Sequence, residues 1–174
     1  PITCKVNLLS SISFAFSLIL TNTTITNLAR IFSLDYTYFL VIILFSAGLG
    51  FLLHELAHKY VAMKYGCKAE FRADQQMLYL ALGMAATIGF LFAAPGAVMI
   101  IGNVTRKTNG IISLAGPLTN YVLAMIFLLI SPYTKIFGQL GFQVNMWLGL
   151  FNMIPFGNFD GIKIFNYSPA IWVS

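Results

Sequence analysis

Residues 36–60 form a long apolar run that carries His54, Glu55, His58 and Lys59 inside it. A helix needs about 20 mainly apolar residues to cross the hydrocarbon of a bilayer. The run exceeds that, so it reads as a spanning helix with ionisable groups built in. Each such group costs roughly 2.5 to 3.5 kcal/mol deep in a spanning helix, and groups of this kind usually serve a pathway or a site. The chain must therefore fold so that another element, not lipid, faces these side chains.

The rest of the sequence agrees with lipid as the main solvent. Of the 174 residues, 59% are hydrophobic and 9% charged, where soluble domains carry roughly 25% charged residues. Ten bases and five acids cannot cover a water-facing surface. The net charge of +5 does not indicate a nucleic-acid interface, because the bases are scattered at the ends of apolar segments with no aromatic-interleaved patch. Cys4 and Cys67 lie too far apart to suggest a disulfide framework or a paired-cysteine metal site.

Further apolar runs cover residues 8–20, 111–130 and 140–154, the last two closed by Ser131 with Pro132 and by Pro155 with Gly157. The expected fold class is an all-α polytopic membrane protein with about four transmembrane helices. Residues 1–174 are read as one membrane-embedded domain, with a catalytic core at about 36–161. Residues 77–101 are long enough to span but carry Gly83, Gly89, Pro95 and Gly96. If this stretch dips in and returns, Lys5, Lys59, Lys64, Lys68, Arg72, Arg106, Lys107 and Lys163 fall on one side, with Arg30 and Lys135 opposite. Lys and Arg in short loops favour the cytoplasm, so re-entry gives the cleaner topology, with the N-terminus inside. Backbone at membrane depth must border protein or a water-filled cavity. A short β-hairpin is expected there, residues 97–101 pairing with 110–114.

His54 to His58 read HELAH, an HExxH pattern. On a helix this puts two imidazoles one turn apart on one face, able to grip one Zn2+ ion, with Glu55 beside it as general base. These are the chain's only histidines, so a zinc site needs a third protein ligand. Asp160 is the choice: it follows an apolar helix, with Pro155 before it and Gly161 directly after. A plain turn would also explain those residues. For Asp160 to share the depth of His54 and His58, the chain must cross an even number of times between them, which re-entry of 77–101 provides. The site then lies near the cytoplasmic face. In Ala115 to Asn120 (AGPLTN), Gly and Pro suit a helix start. Asn120 reads either as a donor to a substrate carbonyl or oxyanion, or as an interhelical hydrogen bond, the second being favoured.

HELAH, AGPLTN and the NMIPFGNFDG of Asn152 to Gly161, in this order, resemble the signature regions of the site-2 protease family of intramembrane metalloproteases. The resemblance covers roughly residues 50–161. It implies a core of three helices, one zinc ion on His54, His58 and Asp160, Glu55 as base, and transmembrane proteins as substrates, with further helices beyond Ser174. The bulky apolar run at 77–92 departs from the short β-rich dip of that family. Two rivals stand beside this reading. A metal or proton transporter would use the same ionisable residues as a relay. A metalloprotease of another lineage would take Glu70 as third ligand.

Overall fold

The computed structural model describes residues 34–73 and 96–173, together with Gln76, Tyr79, Gly83 and Thr87. The expected span at residues 8–20 lies outside the described residues, as do residues 77–95 of the expected re-entrant stretch apart from those isolated positions. The chain divides into two units, Pro1–Leu49 with Arg72–Ala97, and Gly50–Phe71 with Val98–Ser174. The second holds every residue of the site described below.

In the first unit, helix α1 (Leu34–Ile43) leads into a π-helical turn, Leu44–Gly48. The wider turn comes from one extra residue in the ladder, and such insertions often lie near functional sites. The Ser46 hydroxyl donates to the Ile42 carbonyl at 2.8 Å, adding a donor where the regular ladder is broken. Helix α2 (Leu49–Lys64) follows, so helical structure covers Leu34–Lys64, beyond both ends of the expected span.

After α2 come strands β1 (Lys68–Ala73) and β2 (Gly96–Ile101), which pair as a two-stranded sheet. Strand β2 falls where a hairpin strand was expected, but its partner corrects the expectation. Residues 110–114 are helical, and β2 pairs with a segment that composition alone presents as a polar loop. Cys67 and Ala69 are buried while Lys68 and Glu70 are exposed, the period of two that a half-buried strand requires. Ala62, Cys67, Ala69 and Ile112 form a buried cluster, with Val61, Ile100 and Val104 packed on it. This cluster fixes the start of the next helix against the end of α2.

That helix, α3 (Arg106–Thr134), begins earlier than residue 111 because Thr105 caps it: its side-chain oxygen accepts from the Thr108 N–H at 3.1 Å. Removing the cap in Thr105→Ala is expected to cost about 1 kcal/mol, read as a lower thermal unfolding midpoint. An unchanged midpoint would assign the helix start to packing alone. α3 also runs through Pro117 and Pro132. A proline has no N–H for the carbonyl four residues back. Behind Pro132 that carbonyl is Leu128, and the Ser131 hydroxyl donates to it at 2.8 Å. The helix can thus continue in a medium where an unpaired carbonyl would be costly.

A single residue, Lys135 at φ 38°, turns the chain into α4 (Ile136–Asn152). Gly138 and Gly141 let α4 approach α3 closely, since side chains there would overlap Ser131 and Phe127. Short helices α5 (Asp160–Tyr167) and α6 (Pro169–Val173) follow, and the Trp172 indole donates to the Met153 carbonyl at 2.7 Å. Asp160 thus opens a new helix. The preceding helix is unwound over 153–159, as a proline before the acid suggests, but Gly161 is no flexible joint: it is helical and close-packed, because a side chain there would meet the Met153 and Ile154 carbonyls. Among the described residues, Leu34–Lys64 and Arg106–Thr134 are long and apolar enough to cross a bilayer. On α3, Leu118, Val122, Met125 and Leu129 turn outward.

Candidate active site

The periodicity of the α-helix builds the site. Gly50, His54 and His58 recur every four residues on one face of α2, and Ile112, Gly116 and Asn120 do the same on α3. The two faces meet antiparallel. Near one end the Asn120 side-chain amide donates to the Gly50 carbonyl at 3.4 Å. At the other end His58 Nδ1 lies 2.7 Å from the Ile112 carbonyl. Between them His54 Nδ1 bonds Asn120 Oδ1. Gly116 sits opposite both imidazoles, and a Cβ there would overlap His54 Nε2 and His58 Nε2. Its missing side chain is what lets α3 close over the histidines.

The hydrogen bonds fix which ring nitrogen carries the proton. A backbone carbonyl only accepts, so His58 Nδ1 must donate to Ile112. Asn120 directs its NH2 to Gly50 and to Asn145 Oδ1, leaving its own oxygen to accept from His54 Nδ1. In neutral rings both Nε2 atoms are then acceptors, and they face each other at 3.0 Å. Asp160 Oδ2 lies 3.3 Å from His54 Nε2 and 2.9 Å from His58 Nε2. Three acceptors meet with no donor among them, an arrangement that calls for a cation.

The donor atoms and their spacing suit zinc. Ligands about 2.0–2.1 Å from a tetrahedral ion lie about 3.3 Å apart, close to the separations seen here. Two imidazoles and a carboxylate are a donor set typical of catalytic zinc, which keeps a fourth position for water or substrate. All three residues are buried. Among the described residues, Glu70 is not part of this group; it is exposed on β1. Lys163, one turn beyond Asp160 on α5, donates to Asp160 Oδ1 at 3.2 Å and so leaves Oδ2 to the histidines.

Burial alone would push the Asp160 carboxyl up. Where the imidazoles carry a second proton, on Nε2, their hydrogen bonds to Asp160 and the charge of His58, with that of Lys163, outweigh burial and hold the carboxyl below the usual carboxylate range. A proton and a metal ion compete for the same three atoms. Glu55 is buried beside them on α2. Asn120, wholly buried, spends its amide hydrogens on Asn145 and Gly50 and its oxygen on His54.

Gly116 as a spacer, the Ile112 carbonyl, Lys163 and Asn145 do not emerge from the sequence reading. Lys163 has a visible signal in its i, i+3 spacing from Asp160. Asn145 stands out as an amide within an apolar helix, but nothing in the sequence names its partner.

An HExxH helix enclosed by an apolar helical framework, with an aspartate brought to both imidazoles, defines a zinc metalloprotease. No family profile matches the chain. A Methanocaldococcus jannaschii protein named "Putative zinc metalloprotease MJ0611" is 41% identical over 160 residues, covering 86% of this chain and 84% of that protein. A second protein of the same organism, "Zinc metalloprotease MJ0392", is 30% identical over 64% of this chain. The solved structure of a site-2 protease from Methanocaldococcus jannaschii shares the fold, with a TM-score of 0.51 at 22% identity over 87% of this chain. The chain spans 30% of the second relative's length and 62% of the solved chain. It belongs to the family of zinc metalloproteases that these relatives represent, with the fold of a site-2 protease.

Proposed function

We propose that this protein is an intramembrane endopeptidase that hydrolyses peptide bonds in transmembrane segments of other membrane proteins. The observation that carries the reading is the convergence of His54 Nε2, His58 Nε2 and Asp160 Oδ2, three acceptors buried together and pointed at one another. These residues would hold one zinc ion. When bound, the ion supplies Lewis acidity, which lowers the pKa of a coordinated water towards about 7 and polarises the scissile carbonyl. Glu55 accepts the proton that the attacking water loses and returns it to the leaving amine. Asn120 is assigned to holding His54, since its donors are already spent on Asn145 and Gly50.

A substrate helix hides its amides in its own hydrogen bonds, so the scissile segment must unwind to reach the site. Strands β1 and β2 offer backbone edges that could hold it extended. We place the site near the cytoplasmic face of a multi-pass protein, on the distribution of Lys and Arg. The relay of a metal or proton transporter is not favoured, since the similar proteins are named for proteolysis.

The test is cleavage of a transmembrane peptide in micelles by zinc-loaded protein. A Gly-Pro pair near the scissile bond should raise the rate several-fold. In Asp160→Asn both zinc affinity and cleavage should fall at least tenfold, as loss of a charged ligand requires. Zinc-loaded protein that cuts soluble peptides while sparing every transmembrane peptide would overturn the intramembrane reading. Undiminished zinc affinity in Asp160→Asn would overturn the ligand assignment.

A further inference from the structure

Asn145 lies on α4, away from the three motifs, yet it is wholly buried and its amide is wired to the site. Its Nδ2 donates to the Gly141 carbonyl at 2.8 Å within α4. That carbonyl can only accept, so the orientation of the Asn145 amide is set: nitrogen toward Gly141, oxygen toward Asn120. Asn145 Oδ1 then accepts from Asn120 Nδ2 at 3.1 Å. This fixes Asn120 in turn, with its oxygen toward His54 Nδ1. His54 must donate there, and its Nε2 is left with a lone pair facing Asp160 and His58. Gly50 makes room for this chain, because a side chain at that position would overlap Asn145 Oδ1.

We propose that Asn145 is a positioning residue for zinc binding: a directional relay from the Gly141 carbonyl through Asn145 and Asn120 holds His54 in the tautomer that presents Nε2 to the metal. The inference rests on the zinc-site reading above. Without Asn145, Asn120 keeps the Gly50 carbonyl as a longer acceptor at 3.4 Å and can turn its NH2 toward His54. The ring then loses its acceptor and its fixed orientation. Groups that orient a metal ligand from outside the coordination shell are worth roughly 10- to 100-fold in metal affinity.

The experiment is a double-mutant cycle on zinc affinity, measured on the full chain in micelles by competition with a chelator. Asn145→Leu, similar in volume, should lower affinity about tenfold. In Asn120→Asp a carboxylate faces His54, and either oxygen can accept from Nδ1 without help from Asn145. Adding Asn145→Leu to that background should cost less than about threefold. An equal loss in both backgrounds would reduce Asn145 to packing and overturn the relay, as would native affinity in Asn145→Leu. Should the leucine variant fail to fold, Asn145→Ser keeps a donor for Gly141 and is too short to reach Asn120. It should show the same loss, and native affinity there would also sink the proposal. Nitrogen NMR of the zinc-loaded native protein separates the two levels of inference. A protonated His54 Nδ1 is expected, whereas a metal-bound Nδ1 would overturn the coordination itself, whatever the cycle shows.

Discussion

Glu55→Gln should abolish proteolysis while leaving zinc in place. Glutamine keeps the shape of the side chain and its ability to hydrogen-bond, but it cannot take a proton from water at neutral pH. None of the three converging atoms belongs to Glu55; they come from His54, His58 and Asp160. The general-base contribution lost is about 10²- to 10⁴-fold in kcat, or roughly 3 to 5.5 kcal/mol of barrier. Zinc content and the thermal midpoint should stay near native values. Cleavage at near-native rates would remove Glu55 from the mechanism, and loss of zinc would give it a structural task instead.

How far the sequence carried follows from where the chemistry sits. HExxH is legible because its geometry is local: four residues make one helical turn whatever surrounds them. Asp160 is legible by elimination among few acids, since an apolar chain leaves a short roster of ligands. Gly116 and Asn145 are not, because their meaning lies in what faces them across helix pairs. A glycine facing two imidazoles and one in a lipid-facing turn look alike in a string of letters.

The sheet shows the same limit from the other side. Strand β2 could be placed by its apolar residues, but its partner is chosen by tertiary contacts. The Thr105 cap draws residues 110–114 into α3, and β1 with the residue before it supplies an alternation made of Cys67, Lys68, Ala69 and Glu70. Lysine, glutamate and alanine are poor strand formers, so the pattern is hidden by its composition. The prolines misled for a related reason. Pro132 reads as a stop in water, yet Ser131 satisfies the carbonyl it orphans and the helix goes on.

Gly116→Ala tests the core of the fold and of the site at once. The added methyl would fall on His54 Nε2 and His58 Nε2, the atoms assigned to the metal. In many helix pairs such a clash relaxes by a small slide, at about 1–3 kcal/mol. Here the slide is opposed one turn away on both sides. Ile112 is held by His58 and by the buried cluster with Ala62, Cys67 and Ala69. Asn120 is held by His54, Gly50 and Asn145. Relief must therefore come from the imidazoles, which swing away from Asp160. The expected result is zinc affinity reduced by roughly 100-fold or more, the upper end of what misplaced ligands cost, with cleavage lost in proportion. Leu118→Ala, two residues along the same helix on its outward face, should leave both unchanged and serves as the control for altering α3 at all. If Gly116→Ala binds zinc like the native chain, α3 does not close over the histidines, and the antiparallel pairing that assembles the site is wrong.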